Sequence, residues 1–67
     1  MMKHANPNDF TKWADRAAAM SMESLNWSIN DCWEASLAAR NIGNAIAEGR
    51  YLDEMYAYAQ ERKNRTK

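Results

Sequence analysis

The chain has no valine, one proline, two glycines, one histidine and one cysteine, and its nine Lys and Arg cancel nine Asp and Glu. Each shortage excludes something. One cysteine makes no intramolecular disulfide, and one cysteine with one histidine makes no structural zinc site. With three isoleucines and two threonines as the only β-branched residues, there is little to build strands, and no useful stretch alternates polar with apolar. No apolar run approaches the roughly 18 residues that a membrane span needs. Zero net charge argues against a whole-surface attraction to nucleic acid or to an acidic membrane. The segment Met1-Met2-Lys3-His4-Ala5-Asn6-Pro7 lacks the apolar stretch of a signal peptide. Together with the lone thiol, that points to a reducing, cytoplasmic setting.

What is present is helical material. Ala, Met, Leu, Glu, Gln, Lys and Arg dominate, and these are the better helix formers. The expected fold class is therefore all-α. At 67 residues the chain is read as a single small helical domain, with residues 1–6 and 65–67 as flexible ends. A domain of this size buries only about 60% of its unfolded surface. Stability must come from well-packed helices, from large apolar side chains, or from a second copy of the chain. Three Trp, three Tyr and five Met supply the large side chains.

The spacing predicts three segments. Asn6 followed by Pro7 suits a helix start, with Asp9 at the positive end of the dipole. Phe10, Trp13, Ala14, Ala17 and Met20 follow at helical spacing, giving a helix over about 7–22. Near Ser21–Ser24 the pattern weakens, yet no Gly or Pro forces a break. One helix from Pro7 to Ile42 would be roughly 54 Å long, so a bend is expected, with Ser24 as a possible cap. A hairpin of helices over about 24–42 and 44–64 follows. Gly43-Asn44 is its natural turn, with Gly49 as the rival. The first arm offers a seam of Leu25, Ile29, Cys32, Ser36 and Ala39. The second offers Gly49, Leu52, Tyr56 and Ala59. Folded antiparallel, these place Ala39 near Gly49, Cys32 and Ser36 near Leu52 and Tyr56, and Leu25 and Ile29 near Ala59. The N-terminal helix packs on the hairpin or continues into it.

Chemistry is sparse. Asp31, Glu34, Asp53 and Glu54 lack the Glu-x-x-His pairing of di-metal bundles, and they read as a solvated acidic face with an Arg50–Glu54 pair. No metal and no cofactor is expected. Cys32 reads as a small buried hydrophobe, and His4 precedes the first cap. With no Gly-rich phosphate loop and no Ser/His/Asp set, neither catalysis nor a small-molecule substrate is expected. The aromatic excess has two readings. Trp fills a small core, or Trp13, Trp27, Trp33, Tyr51 and Tyr58 anchor a protein interface. Trp13 and Trp27 lie two heptads apart, so they share a face if the helix is continuous.

Charge is uneven along the chain. Residues 23–54 hold six acids and two bases, whereas residues 60–67 hold four bases and one acid. The basic end offers Arg62, Lys63, Arg65 and Lys67 as phosphate contacts. Against that reading, a recognition helix here would present Asp53 and Glu54 to DNA. Those charges repel phosphate.

Three stretches, Ser28-Ile29-Asn30-Asp31-Cys32-Trp33-Glu34, Gly49-Arg50-Tyr51-Leu52-Asp53-Glu54 and Glu61-Arg62-Lys63, carry a resemblance. Over about residues 24–65 the chain resembles short helical proteins encoded by phages and plasmids. These have an Asp-Cys-x-Glu helix, a turn, a Gly-aromatic-aromatic-x-Asp-Glu motif and a basic end. Here Arg50 replaces one aromatic residue, Tyr56 stands where His is common, and the turn lacks Pro. The resemblance implies a helical hairpin of mobile-element origin and no particular activity. The expectation is a non-enzymatic, self-associating protein–protein interaction module, plausible as a phage or plasmid accessory protein that modulates a host protein. A nucleic-acid-binding accessory protein is the alternative. No membrane role is expected.

Overall fold

The computed structural model describes residues 7–66. Helix α1 spans Pro7–Ala18, α2 spans Met22–Asn41 and α3 spans Ala45–Arg65. The chain is all-α, an antiparallel hairpin of α2 and α3 with an N-terminal helix. Helix α3 carries the packing of both other helices. Asp9 pairs with Arg50 at 3.3 Å, and Arg16 pairs with Glu54 at 3.7 Å. Helix α1 therefore runs parallel to α3, and α2 runs antiparallel to both. Asn6, expected to cap α1, lies outside the described residues.

The turn at Gly43-Asn44 is built from backbone hydrogen bonds. The Gly43 N–H donates to the Arg40 carbonyl at 3.1 Å, and the Asn44 N–H donates to the Ala39 carbonyl at 2.9 Å. That pair is the Schellman arrangement, and it needs a left-handed residue. Gly43 supplies it at φ 77°. Asn44 then starts α3, its side-chain oxygen accepting from the Ala47 N–H at 3.0 Å. Two adjacent residues thus stop one helix and start the next, and Gly49 lies inside α3.

The break between α1 and α2 falls earlier than its expected place. Helix α1 ends at Ala18 in a tightened turn, with Ala19 and Met20 donating to Arg16 and Ala17. Ser21, with extended backbone, caps α2 by accepting from the Ser24 N–H at 3.1 Å. Ser24 is therefore the capped residue rather than the cap.

The core gathers Trp13 and Ala17 from α1, Leu25 and Cys32 from α2, and Tyr58 from α3. Phe10, Met20, Met22, Ile29, Met55 and Ala57 pack against it. Phe10 meets Trp13 edge to face, ring centres 5.4 Å apart. On α2 the inward stripe is Leu25, Cys32, Ser36 and Ala39. Buried Ser36 donates to the Trp33 carbonyl at 2.7 Å. On α3 the buried residues are Gly49, Asp53 and Tyr58. Of the apolar series Gly49, Leu52, Tyr56, Ala59, the structure keeps Gly49 inside, half-buries Leu52 and Ala59, and exposes Tyr56. Ala47, Arg50, Tyr51, Glu54, Tyr58, Arg62 and Arg65 also reach residues of the other helices. Ala39 sits with Ala47 and Tyr51, and Cys32 faces Glu54. Tyr56 bonds Gln60 instead. The reason is chemical. Asp53 and Tyr58 are polar in type but paired where they are buried, and a count of apolar residues passes over them.

Candidate interaction surface and a buried polar cluster

Of the five aromatic residues considered for an interface, two are core. Trp13 and Tyr58 are 6% and 2% exposed, so neither is open to a partner. The bend turns α1 back along the hairpin, which seats Trp13 inside and leaves Trp27 outside on α2. Trp27, Trp33 and Tyr51 are 70%, 45% and 39% exposed. Six residues separate Trp27 from Trp33, about 120° round α2, so they form no single patch. Two further large exposures have no counterpart in the sequence pattern, Ile42 at 79% and Ile46 at 65%. Both flank the Gly43-Asn44 turn, where apolar periodicity is interrupted and carries no signal.

Ile42 and Tyr51 do share a surface. They line a groove of about 360 Å³ with Ala35, Ala38, Ala39, Asn44 and Ala47. Ala47 and Tyr51 also line a second hollow with Trp13, Arg50 and Glu54. Helices α1 and α2 are joined through residues 19–21, and Ala47 and Tyr51 of α3 belong to both hollows. The hollow between α2 and α3 is the apolar mouth. Small side chains make this mouth shallow and apolar. It can hold a helix or an aliphatic ridge.

Behind the mouth is a polar cluster that ties three helices. The Tyr58 hydroxyl donates to Glu54 at 2.5 Å and accepts from Arg16 at 3.4 Å. Cys32 of α2 adjoins Glu54. Burial pushes the Tyr58 phenol up to about 12, helped by its hydrogen bond to Glu54 and opposed by Arg16. Burial also pushes the Cys32 thiol up to about 12, with the charges of Glu54 and Asp31 adding to it. Hydrogen bonding to Tyr58 raises the Arg16 guanidinium further above its ordinary value. At neutral pH the thiol and the phenol both keep their protons. The cluster joins the three helices through protonated groups.

Asp53 departs from the expected solvated face, for it is 2% exposed. Every buried side-chain nitrogen and oxygen among the described residues has a hydrogen-bond partner. Among those residues no group of His, Cys, Asp and Glu could hold a metal ion, and no helix is long and apolar enough to cross a membrane.

The basic end is partly committed to the fold. Arg65, expected in a flexible tail, closes α3 and is half-buried. Its guanidinium donates to the carbonyls of Ala17 at 2.9 Å and Met20 at 2.7 Å, and to Glu61 at 2.7 Å. Arg62 donates to the Asn26 side chain at 3.0 Å, and Lys63 is exposed. Lys67 lies outside the described residues. Arg65 thus caps the C-terminal end of α1 from across the molecule, a role for which the sequence holds no local signal. Comparisons with protein-family models, curated proteins and solved structures find no match for the chain.

Proposed function

We propose that this chain is a small non-enzymatic protein–protein interaction module that associates with a second copy of itself through the apolar mouth. One observation carries the reading. Ile42, 79% exposed, lines a groove made mostly of alanine, and Ile46, 65% exposed, follows one turn beyond on α3. A ridge beside a complementary groove is the arrangement that a two-fold, self-complementary interface uses. Tyr51 in the groove supplies the aromatic anchor that such interfaces favour. The resemblance to phage and plasmid proteins fits an accessory role, in which the same surface engages a host protein. The proton-bearing Cys32 and Tyr58 speak against an enzyme. The engagement of Arg65 within the fold speaks against the nucleic-acid alternative, because it removes one of the four cations on which that reading rests.

Sedimentation over a hundredfold dilution tests the proposal. The expected result is a concentration-dependent dimer that Ile42→Asp abolishes while the helical circular dichroism is retained. A monomer at every concentration overturns it.

A further inference from the structure

The break between α1 and α2 contains no residue that requires it. Ala19, Met20 and Ser21 are all tolerated inside a helix, and no described residue other than glycine has a positive φ. Two devices hold the bend. One is the Ser21 cap on Ser24. The other is Arg65, which supplies donors to the carbonyls of Ala17 and Met20 from 48 and 45 residues away. In a straight helix those carbonyls would accept instead from backbone N–H groups four residues on. Both devices would then be dispensable.

We propose that the link is a switch: when residues 19–21 become helical, α1 and α2 form one helix, and α1 docks on the hairpin of a second copy of this chain. The geometry favours an exchange. In the bent chain α1 folds back antiparallel to α2. Two straightened chains, crossed at Met20 and antiparallel, set each α1 beside the other's α2 and α3. Trp13, Ala17 and the Asp9–Arg50 and Arg16–Glu54 pairs are then remade between copies. Such an exchange keeps the packing of the monomer, which is why it is a low-cost route to a dimer. A straight helix also brings Trp27, 70% exposed in the bent chain, to within about 40° of the face that Trp13 presents to the partner hairpin. This rests on the self-association proposed above, though not on the mouth as its interface.

Position 21 provides the test, since its side chain is exposed and outside the core. Ser21→Ala removes the cap and favours a continuous helix. Ser21→Gly also removes the side chain, but Gly is nearly as good as Ser at a cap and poor inside a helix. Two caps are lost per dimer, so Ser21→Ala raises the association constant about 30-fold in sedimentation. Ser21→Gly does not. Met22→Pro places proline at the first position of α2, where the bent form accepts it and a continuous helix does not. The expected result is loss of the exchanged dimer.

A mixture of Asp9→Cys chains with Arg50→Cys chains, refolded together, is joined between copies by a thiol-specific cross-linker long enough to replace the Asp9–Arg50 span only if α1 has crossed over. A dimer that persists in Met22→Pro and Ser21→Gly, or one without that cross-link, overturns the exchange and leaves self-association standing. A wild-type monomer whose Ser21→Ala variant dimerises with the cross-link does the reverse. It supports the switch and overturns association as the resting function.

Discussion

The two ends of the hairpin solve opposite problems. At the end near residues 19–21, three helices converge and enclose Trp13, Ala17, Leu25, Cys32 and Tyr58. Near the Gly43 turn no residue of α1 lines the groove, the side chains between α2 and α3 shrink to alanine, and Ile42 and Ile46 are exposed. A chain this small has too little volume to enclose large residues at both ends. It concentrates them where a third helix can cover them, and the uncovered end is left apolar and shallow. Under the proposed self-association, stability and recognition fall to different ends. Substitutions should separate them.

The largest effect is expected at the closed end. Leu25→Ala leaves a cavity beside Tyr58 and should cost about 3–4 kcal/mol in denaturant unfolding. Ile42→Ala, at the open end, should change stability by less than about 0.5 kcal/mol. Equal losses at the two positions would erase the contrast. Arg65→Ala should cost about 2 kcal/mol, because it strips charged donors from two partly buried carbonyls. Arg62→Ala removes only an exposed bond to Asn26 and should cost less than about 0.5 kcal/mol. Gly43→Ala meets no neighbouring atom, so its cost is the left-handed backbone alone, about 1 kcal/mol.

A pH series sharpens the comparison from the other side. The ordinary values of Cys32 and Tyr58 are 9.0 and 10.0, and both are raised to about 12 in the fold. Between those limits the unfolded chain holds fewer protons than the native one, so stability falls as pH rises. Their contribution is complete below about pH 9 and is lost through about pH 12. Thermal midpoints measured from pH 8 to 12 should show this decline, and Tyr58→Phe should reduce it. Ile42→Ala should leave its slope unchanged. That is the smallest effect of the set.

The parts of this fold that were legible in the sequence are those made by neighbours along the chain. The turn at Gly43-Asn44 is one, since a left-handed residue and a capping amide stand side by side. The helical class is another, because it follows from composition. The break after Ala18 was not legible at its true position, because half of what maintains it is an arginine in the last turn of α3. The inward face of α3 was legible at Gly49 and missed at Asp53 and Tyr58 for a related reason. Glu54, Tyr58 and Arg65 become interior or half-interior groups through partners on other helices. Exposure of Ile42 and Ile46 escaped notice because both lie at a turn, where neither helical period applies. Trp13 and Trp27 could not be told apart until the bend was placed.

The reach of Arg65 also sets an order of events during synthesis. At roughly 5–20 residues per second, several seconds separate the appearance of Met20 from that of the arginine that binds its carbonyl. Throughout that interval the first two helical segments exist without the contact that terminates α1. A nascent chain therefore passes through a stage in which a straight rod and a folded-back pair compete on local preference alone.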